Sequence, residues 1–240
     1  MEELAARPPW QGVRLLVFDL DGTLINSCGD IIDSANATLR ELGRPALPGE
    51  VIASYVGNGA PVLVERVLAR SNGHASDDPA AAAALRSGEE YRRALAEFLR
   101  IYDRNKLART RLYPEVESTL RRFHSHYRLA VLTNKPERMS REILCGLGIA
   151  ELFARIYGGD SFPTKKPDPE GLLRICAELE IRPDAALMVG DSAVDIRAGE
   201  NAGCHTCALS YGMGTATLAE VTAELRLDAF AELLKYLDPF

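Results

Sequence analysis

Short apolar runs alternate with amphipathic segments along most of this chain. Five of the runs are predicted strands, at residues 14–18, 128–132, 155–159, 186–190 and 205–209. They lack the strict alternation of a half-buried strand, and continuous apolar runs are typical of strands that are covered on both faces. Because helical segments separate them, the pattern predicts an α/β fold with a doubly wound parallel sheet.

The alternation is interrupted between residues 29 and 109, where no convincing buried strand is present. Residues of helical spacing share apolar faces in two stretches of this interval, and residues 80–84 are a run of alanine, the strongest helix former. The two apolar faces comprise Ile31, Ile32, Ala35, Leu39 and Leu42, and then Tyr91, Leu95, Phe98, Leu99 and Tyr102. We therefore predict an all-helical domain at 29–109, inserted into a Rossmann-like core formed by residues 1–28 and 110–240.

Composition and charge narrow the range of partners. The 240 residues are 47% hydrophobic and 26% charged, which is ordinary for a globular protein with a sizeable core. A net charge of −6 and a pI near 5.4 argue against a nucleic-acid partner. We find no apolar run long enough to span a membrane and no signal peptide in residues 1–12. The five scattered cysteines favour a reducing cytoplasm over a disulfide framework.

Polar residues follow the predicted strands at their carboxyl ends, which is where open parallel sheets bind ligands. These residues are Asp19, Asp21, Thr133, Asn134, Asp160, Asp191 and Asp195, and Lys165 and Lys166 precede a proline-rich helix start. Clustered carboxylates repel one another unless a cation compensates them, and oxygen ligands suit a hard ion such as Mg²⁺. The lysine and the Thr-Asn pair suit an anionic ligand beside that ion. Together these groups indicate phosphoryl transfer, in which a carboxylate can attack phosphorus.

Four short motifs carry a resemblance to a known family. They are DLDGT at 19–23, TN at 133–134, KKPDP at 165–169 and GDSAVD at 190–195. In this order they resemble the four motifs of the haloacid dehalogenase superfamily of phosphohydrolases, and the helical insertion resembles the cap domain of that superfamily. Residues 55–68 and 189–203 look closer still to a bacterial branch that acts on 2-phosphoglycolate.

The resemblance implies an activity, a cofactor and a substrate. The expected enzyme is a Mg²⁺-dependent phosphatase that hydrolyses a small phosphorylated metabolite, with 2-phosphoglycolate converted to glycolate and phosphate through an aspartyl-phosphate intermediate. Asp19 would be the nucleophile. Asp21 would first protonate the leaving group and then activate water, after the turn at Gly22 has brought its side chain over the site. Lys166 would neutralise the nucleophile and the phosphate.

The resemblance also assigns binding roles. Thr133 and the backbone of Asn134 would hold phosphate oxygens, and the N–H group of Gly22 would do the same because glycine has no side chain to block the approach. The expected metal site comprises Asp19, the backbone carbonyl of Asp21, Asp191 and Asp195.

Several residues have two interpretations. Lys165 remains an alternative to Lys166, and Asp160 is as well explained by a helix cap as by a role in the site. The N–H groups around Gly59, before Pro61, are candidates for binding a substrate carboxylate, although a plain helix start is an equal alternative. The lone Cys204–Cys207 pair favours small apolar residues beside a strand over a zinc site, which would need a second pair.

Other functions remain open on the same core. A phosphosugar mutase would return the phosphoryl group to a sugar and would need a bisphosphate activator, and a pyrophosphatase would differ only in the leaving group. A non-catalytic phosphoacceptor would keep Asp19 but would need neither Asp21 nor a closing insertion. The sequence does not predict an oligomeric state.

Overall fold

A computed structural model describes residues 10–73, 85–86 and 88–237. The alanine run at 80–84, in which we predict a helix, lies outside the described residues. No helix in the described ranges is both long enough and apolar enough to cross a membrane.

Eight short strands are present in the described part of the chain. They are β1 (Leu15–Phe18), β2 (Ile25–Asn26), β3 (Arg111–Leu112), β4 (Arg128–Leu132), β5 (Arg155–Tyr157), β6 (Ala186–Gly190), β7 (His205–Leu209) and β8 (Leu225–Leu227). Six of them form a parallel sheet in the order β5-β4-β1-β6-β7-β8, which confirms the predicted fold class. The predicted strand at 155–159 stops at Tyr157, and β8 extends the sheet by a strand that the apolar pattern did not predict.

Nine α-helices lie between and after these strands in the described residues. Their bounds are α1 (Cys28–Glu41), α2 (Gly49–Ala53), α3 (Ala60–Ser71), α4 (Glu89–Asn105), α5 (Val116–His124), α6 (Glu137–Gly146), α7 (Glu170–Glu178), α8 (Ala193–Ala202) and α9 (Leu234–Leu237). Alternation of strand and helix after β3 is what a parallel sheet requires, because each crossover must return the chain to the same edge.

The central strand β1 is buried on both faces of the sheet. Leu16 and Phe18 pack into one hydrophobic cluster with α5 and α6, whereas Leu15 and Val17 pack into another with α7 and α8. Full burial of each such side chain contributes about 1.5–3 kcal/mol to folding. The continuous apolar run at 15–18 is therefore explained by helices on both faces, as the sequence indicated.

Helices α1 to α4, which we call the helical insertion, have a hydrophobic cluster of their own. It includes Ile31 and Leu39 from α1, Leu68 from α3 and Phe98 from α4. Met139 of α6 also belongs to this cluster, so the insertion packs against the sheet-bearing part of the chain. The division into domains at 28–29 and 109–110 stays a prediction.

The two connections to the helical insertion run side by side. Strands β2 and β3 pair antiparallel, with Ile25 opposite Leu112. The buried carboxylate of Asp30 accepts hydrogen bonds from the backbone N–H groups of Arg109 and Thr110, both at 2.9 Å, and from Thr110 Oγ1 at 2.8 Å. These bonds fasten the end of the insertion to its first helix.

Candidate active site

The carboxyl ends of β1, β4 and β6 lie beside one another in the sheet and carry three of the predicted site residues. Asp19 follows β1, Thr133 follows β4 and Asp191 follows β6. The backbone N–H of Asp19 donates to Val189 O of β6 at 3.0 Å, so the parallel ladder itself positions the first acid.

Three buried carboxylates converge at this edge. Oxygen atoms of Asp19, Asp191 and Asp195 all lie within 4.8 Å of one another. Lys166 is 4% exposed, and its Nζ donates to Asp19 Oδ1 at 2.7 Å and to Asp195 Oδ1 at 2.6 Å. Of the two adjacent lysines, the structure places Lys166 in the cluster. Lys165 points elsewhere and donates to Asn58 O of the helical insertion at 3.3 Å.

Charge in this cluster is unbalanced. Burial raises the pKa of Asp19 to about 6, even though Lys166 lowers it in part. Burial, followed by the charges of Asp195 and Asp19, raises the pKa of Asp191 well above its ordinary value. Burial lowers the pKa of Lys166, but the two facing carboxylates outweigh this effect and raise it. When all three carboxyl groups are ionised, the single ammonium of Lys166 leaves an excess of two negative charges.

The excess charge and the donor set fit a divalent cation. All the available ligand atoms are carboxylate or carbonyl oxygens, which suit a hard ion such as Mg²⁺. Asp195 has protein partners on both oxygens, because Oδ2 accepts from Ser192 N at 3.1 Å and from Ser192 Oγ at 2.6 Å. Asp195 is thus held by Lys166 and by the capping box of α8, in which Ser192 is the N-cap and Asp195 the third helical residue, which suits it to support the site.

Asp21 faces the same region as Asp19. Its Oδ1 accepts from Ser27 Oγ at 2.5 Å and its Oδ2 accepts from Lys135 Nζ at 2.6 Å. Leu20, between the two acids, is fully buried in the main hydrophobic cluster. The turn that follows β1 therefore leaves both carboxylates at the site while the intervening side chain anchors the strand end.

The predicted role of Gly22 as a phosphate donor is not supported. Its N–H donates to Ile25 O at 2.9 Å and is thus occupied within the turn. Two other observations explain the glycine. Its φ is +92°, and a Cβ atom there would lie 2.2 Å from Asp191 Oδ2. Glycine at this position is required by backbone conformation and by the close approach of the Asp191 carboxylate.

Thr133 and Asn134 lie between the sheet and the helical insertion. Both are buried, and Thr133 Oγ1 accepts from the backbone N–H of Lys135 at 3.3 Å. The side-chain nitrogen of Asn134 donates to Gly57 O at 3.2 Å and to Lys166 O at 3.1 Å. The sequence suggested only a backbone role for Asn134, whereas its side chain joins the insertion to the lysine-bearing loop.

Gly59 immediately precedes α3 and lies against Asn134. Its φ is +84°, and a Cβ atom would be 2.9 Å from Asn134 O. The N–H groups of residues 57–60 have no acceptor among the described residues. The start of α3 is therefore docked on the sheet edge with free donors, as an anion-binding helix start requires.

Sequence reasoning missed Lys135, which is 7% exposed and contacts Asp21. Burial lowers its pKa, but the carboxylate of Asp21 outweighs this effect and raises it. Its Nζ lies 4.6 Å from the centre of the Tyr102 ring. The available signal was its position directly after the Thr-Asn pair at the end of β4.

Tyr102 of α4 was predicted only as part of an apolar helical face. Tyr102 is 2% exposed, its hydroxyl oxygen faces Lys135, and its hydroxyl hydrogen has no acceptor among the described residues. Burial raises the pKa of this hydroxyl to about 12, so the hydroxyl keeps its proton at neutral pH and can donate a hydrogen bond.

Two further expectations concern residues outside the cluster. Asp160 Oδ1 accepts from the N–H of Glu137 at 2.7 Å, so Asp160 caps α6, as one of its two interpretations held. Cys207 lies in β7 with Cys204 just before it, and both are buried free thiols. This arrangement agrees with the interpretation of the pair as small apolar residues beside a strand.

A cavity of about 40 Å³ lies between Asp19 and Asp21 on one side and the helical insertion on the other. Asp19, Asp21, Thr133 and Lys135 line its polar end. Its remaining lining is largely apolar. The insertion contributes Ile31, Val56, Leu63, Phe98, Leu99 and Tyr102, and α6 contributes Met139. The space suits a small ligand whose charged groups lie near the sheet.

Comparison with known proteins agrees with this geometry. A family model described as haloacid dehalogenase-like hydrolase matches residues 16–209. The chain is 39% identical over 226 residues to a phosphoglycolate phosphatase of Psychrobacter arcticus, covering 93% of this chain and 95% of the relative. It is 37% identical over 226 residues to a phosphoglycolate phosphatase of Haemophilus influenzae, covering 93% and 98%.

A solved structure has the same fold and is also similar in sequence. The crystal structure of a predicted phosphoglycolate phosphatase from Haemophilus somnus 129pt superposes with a TM-score of 0.84. It is 33% identical in sequence and covers 93% of this chain and 97% of its own.

Proposed function

This chain belongs to the haloacid dehalogenase-like hydrolase family and is a phosphoric monoester hydrolase, and we propose that it converts 2-phosphoglycolate to glycolate and phosphate. The observation that carries the proposal is the placement of Asp19. This acid is buried beside one lysine and two further acids, at the end of a small cavity that also contains Asp21. The names of the relatives support the substrate.

The first half of the reaction uses Asp19 and Asp21. Lys166 holds Oδ1 of Asp19, so Oδ2 is the atom that attacks phosphorus. As the new Asp19–phosphorus bond forms, the phosphorus–oxygen ester bond breaks, and Asp21 gives its proton to the leaving alkoxide. Glycolate is thereby released and an aspartyl phosphate remains.

The second half returns the enzyme to its starting state. Asp21, now ionised, takes a proton from water, and the resulting oxygen nucleophile attacks phosphorus. The Asp19–phosphorus bond breaks, which releases inorganic phosphate and restores the carboxylate. Thr133 Oγ1, at the end of β4, would donate to a phosphate oxygen, and Lys166 would offset the negative charge on Asp19 and the phosphate.

Mg²⁺ is the cation that we infer for the acid cluster. Asp19, Asp191 and the backbone carbonyl of Asp21 would hold it, with Asp195 in support. When bound, such an ion neutralises the excess carboxylate charge and polarises the phosphoryl group. We also infer a cytoplasmic location, because all five cysteines are free thiols.

Phosphate release from a panel of phosphomonoesters tests the proposed function. We expect 2-phosphoglycolate to have the highest kcat/KM with Mg²⁺, because the cavity is small and Thr133 and Lys135 at its polar end suit an anionic ligand. EDTA should stop turnover, and added Mg²⁺ should restore it. A hexose phosphate or pyrophosphate that exceeds 2-phosphoglycolate tenfold, about 1.4 kcal/mol of transition-state preference, would overturn the substrate but not the hydrolase class. A strict requirement for a bisphosphate activator would identify a mutase instead.

The adjacent lysines provide a matched pair of variants. Lys166→Met should lower kcat by about 100-fold or more, because it removes the charge that faces the nucleophile and the phosphate. Lys165→Met should cost much less, because Lys165 is bonded to the carbonyl of Asn58 and not to an acid of the cluster. Steady-state kinetics with Mg²⁺ measure both, and circular dichroism checks that each variant is folded. A larger loss for Lys165→Met would mean that the two lysines exchange roles during turnover.

A further inference from the structure

Lys135 is a buried cation whose position relative to Asp21 has a consequence for substrate choice. It extends from the end of β4 into the cavity between the sheet and the helical insertion. A buried ammonium is retained only where anions or oriented dipoles face it, since its transfer from water costs several kcal/mol. Asp21 supplies one such partner at 2.6 Å, and an ammonium has three N–H donors.

Tyr102 is the second polar group of that region. Leaving a buried hydroxyl without a partner costs about 1–3 kcal/mol, so an orphaned donor next to a cavity indicates that a ligand supplies the acceptor. The centre of the Tyr102 ring lies 4.6 Å from Lys135 Nζ, and the ammonium also faces the hydroxyl oxygen. The hydrogen of the hydroxyl has no acceptor among the described residues, since an ammonium only donates. The two donors thus belong to different elements, α4 and the end of β4, that meet at the cavity.

The rest of the lining makes these donors specific for an anion. Lys135 is the one cation among the described residues that line this cavity. Leu63 and Phe98 of the insertion and Met139 of α6 form much of the remaining wall and offer no polar partner. A free carboxylate buried there would be strongly disfavoured without Lys135.

We propose that Lys135 and Tyr102 bind the carboxylate of the substrate, with the free N–H groups at the start of α3 beside them. The inference rests on the proposed function and adds the residues that select the leaving group. In 2-phosphoglycolate a single methylene separates the carboxylate from the ester oxygen. A carboxylate bound to Lys135 therefore brings that oxygen next to Asp21, which is the acid that must protonate it.

This geometry distinguishes between phosphorylated acids. A substrate whose carboxylate and ester oxygen are attached to the same carbon can contact Lys135 and Asp21 at the same time. The carboxylate of 3-phosphooxypropionate, which is one methylene longer, cannot sit on Lys135 without moving the ester oxygen away from Asp21. The site thus selects 2-phosphooxy acids over longer ones.

Binding of two non-hydrolysable phosphonates tests the inference separately from catalysis. The probe 3-phosphonopropionate replaces the ester oxygen of 2-phosphoglycolate with a methylene, and ethylphosphonate is the same molecule without the carboxyl group. Titration calorimetry with Mg²⁺ gives both dissociation constants. Lys135→Met should weaken binding of 3-phosphonopropionate by about 10- to 150-fold, as expected for loss of a charged hydrogen bond, and leave ethylphosphonate little changed.

A second variant keeps the test independent of folding defects. Tyr102→Phe removes one oxygen and retains the ring, and it should weaken 3-phosphonopropionate by about 2- to 10-fold without affecting ethylphosphonate. Equal weakening of both probes in Lys135→Met would overturn the inference, since Lys135 would then serve only to orient Asp21.

Failure of the proposed function would be visible in the unmodified enzyme. If it showed no preference for 2-phosphoglycolate over 2-hydroxyethyl phosphate, which lacks the carboxylate, both proposals would fall. If that preference is present and Lys135→Met leaves it intact, only the assignment of Lys135 is wrong. A collapse of the preference in Lys135→Met, with 2-hydroxyethyl phosphate still hydrolysed, would support the assignment.

Discussion

Asp19→Asn is expected to abolish phosphate release, with a loss of kcat of about 10⁴-fold or more, because an amide cannot form the aspartyl phosphate. The substitution preserves the shape of the side chain and its contact with Lys166, so the fold should remain. Phosphate release from 2-phosphoglycolate measures the effect. Acid quenching with labelled substrate should trap a phosphoenzyme in the unmodified protein and none in the variant.

Asp160→Asn is the matched control for this experiment. It removes an acid that also follows a strand of the sheet but caps α6 outside the cluster, and asparagine is an equally good helix cap. The control should keep near-normal activity. Full activity of a folded Asp19→Asn protein would exclude the aspartyl-phosphate mechanism.

Asp19→Asn is also expected to change how the stability of the protein depends on pH. The pKa of Asp19 is about 6 in the folded protein against an ordinary value of 3.8, so the folded state binds the proton more tightly than the unfolded state does. The metal-free protein therefore loses stability as pH rises from about 4 through about 6. Asparagine removes this loss, and in EDTA at neutral pH Asp19→Asn should melt no lower than the unmodified protein.

Asp21→Asn is expected to lower steady-state turnover by about 10²- to 10⁴-fold, the usual contribution of a general acid or base. The two half-reactions should respond differently when the leaving group is p-nitrophenolate, which departs without a proton. Formation of the phosphoenzyme should continue, whereas its hydrolysis should be slow because no base activates water. A rapid burst of p-nitrophenol close to one equivalent of enzyme, followed by slow release, is the expected stopped-flow result.

Comparing the burst between two substrates shows whether Asp21 transfers protons or only positions its neighbours. With 2-phosphoglycolate, whose alkoxide needs a proton, the variant should show no burst and a lower rate of phosphoenzyme formation. Near-normal turnover of both substrates would remove Asp21 from the proton transfers and leave it only as a partner of Lys135 and Ser27.

The sequence by itself determined the fold class and the edge of the sheet where the chemistry lies. Four of the five predicted strands are runs of mostly buried residues, and Leu15–Phe18 is fully buried because helices cover both faces of β1. The fifth, β5, buries only Ile156. In a parallel sheet all carboxyl ends lie on the same edge, so acids that follow β1 and β6 meet without any further information. Local apolar patterning and strand direction suffice for this level of prediction. The strand β8 was missed because only one of its three residues is buried and the run carries Arg226 at its centre.

Only the tertiary structure decided which individual side chains form the site. The resemblance favoured Lys166 and left Lys165 as an alternative, and in the structure Lys166 is the lysine that reaches Asp19 and Asp195. Gly22 was expected to bind phosphate, yet its neighbour Asp191, far away in the chain, explains why no side chain fits there. Lys135 and Tyr102 become recognisable as a pair only when α4 packs over the end of β4. The physical reason is that burial, charge balance and unpaired donors are properties of contacts between distant segments, which local patterning does not encode.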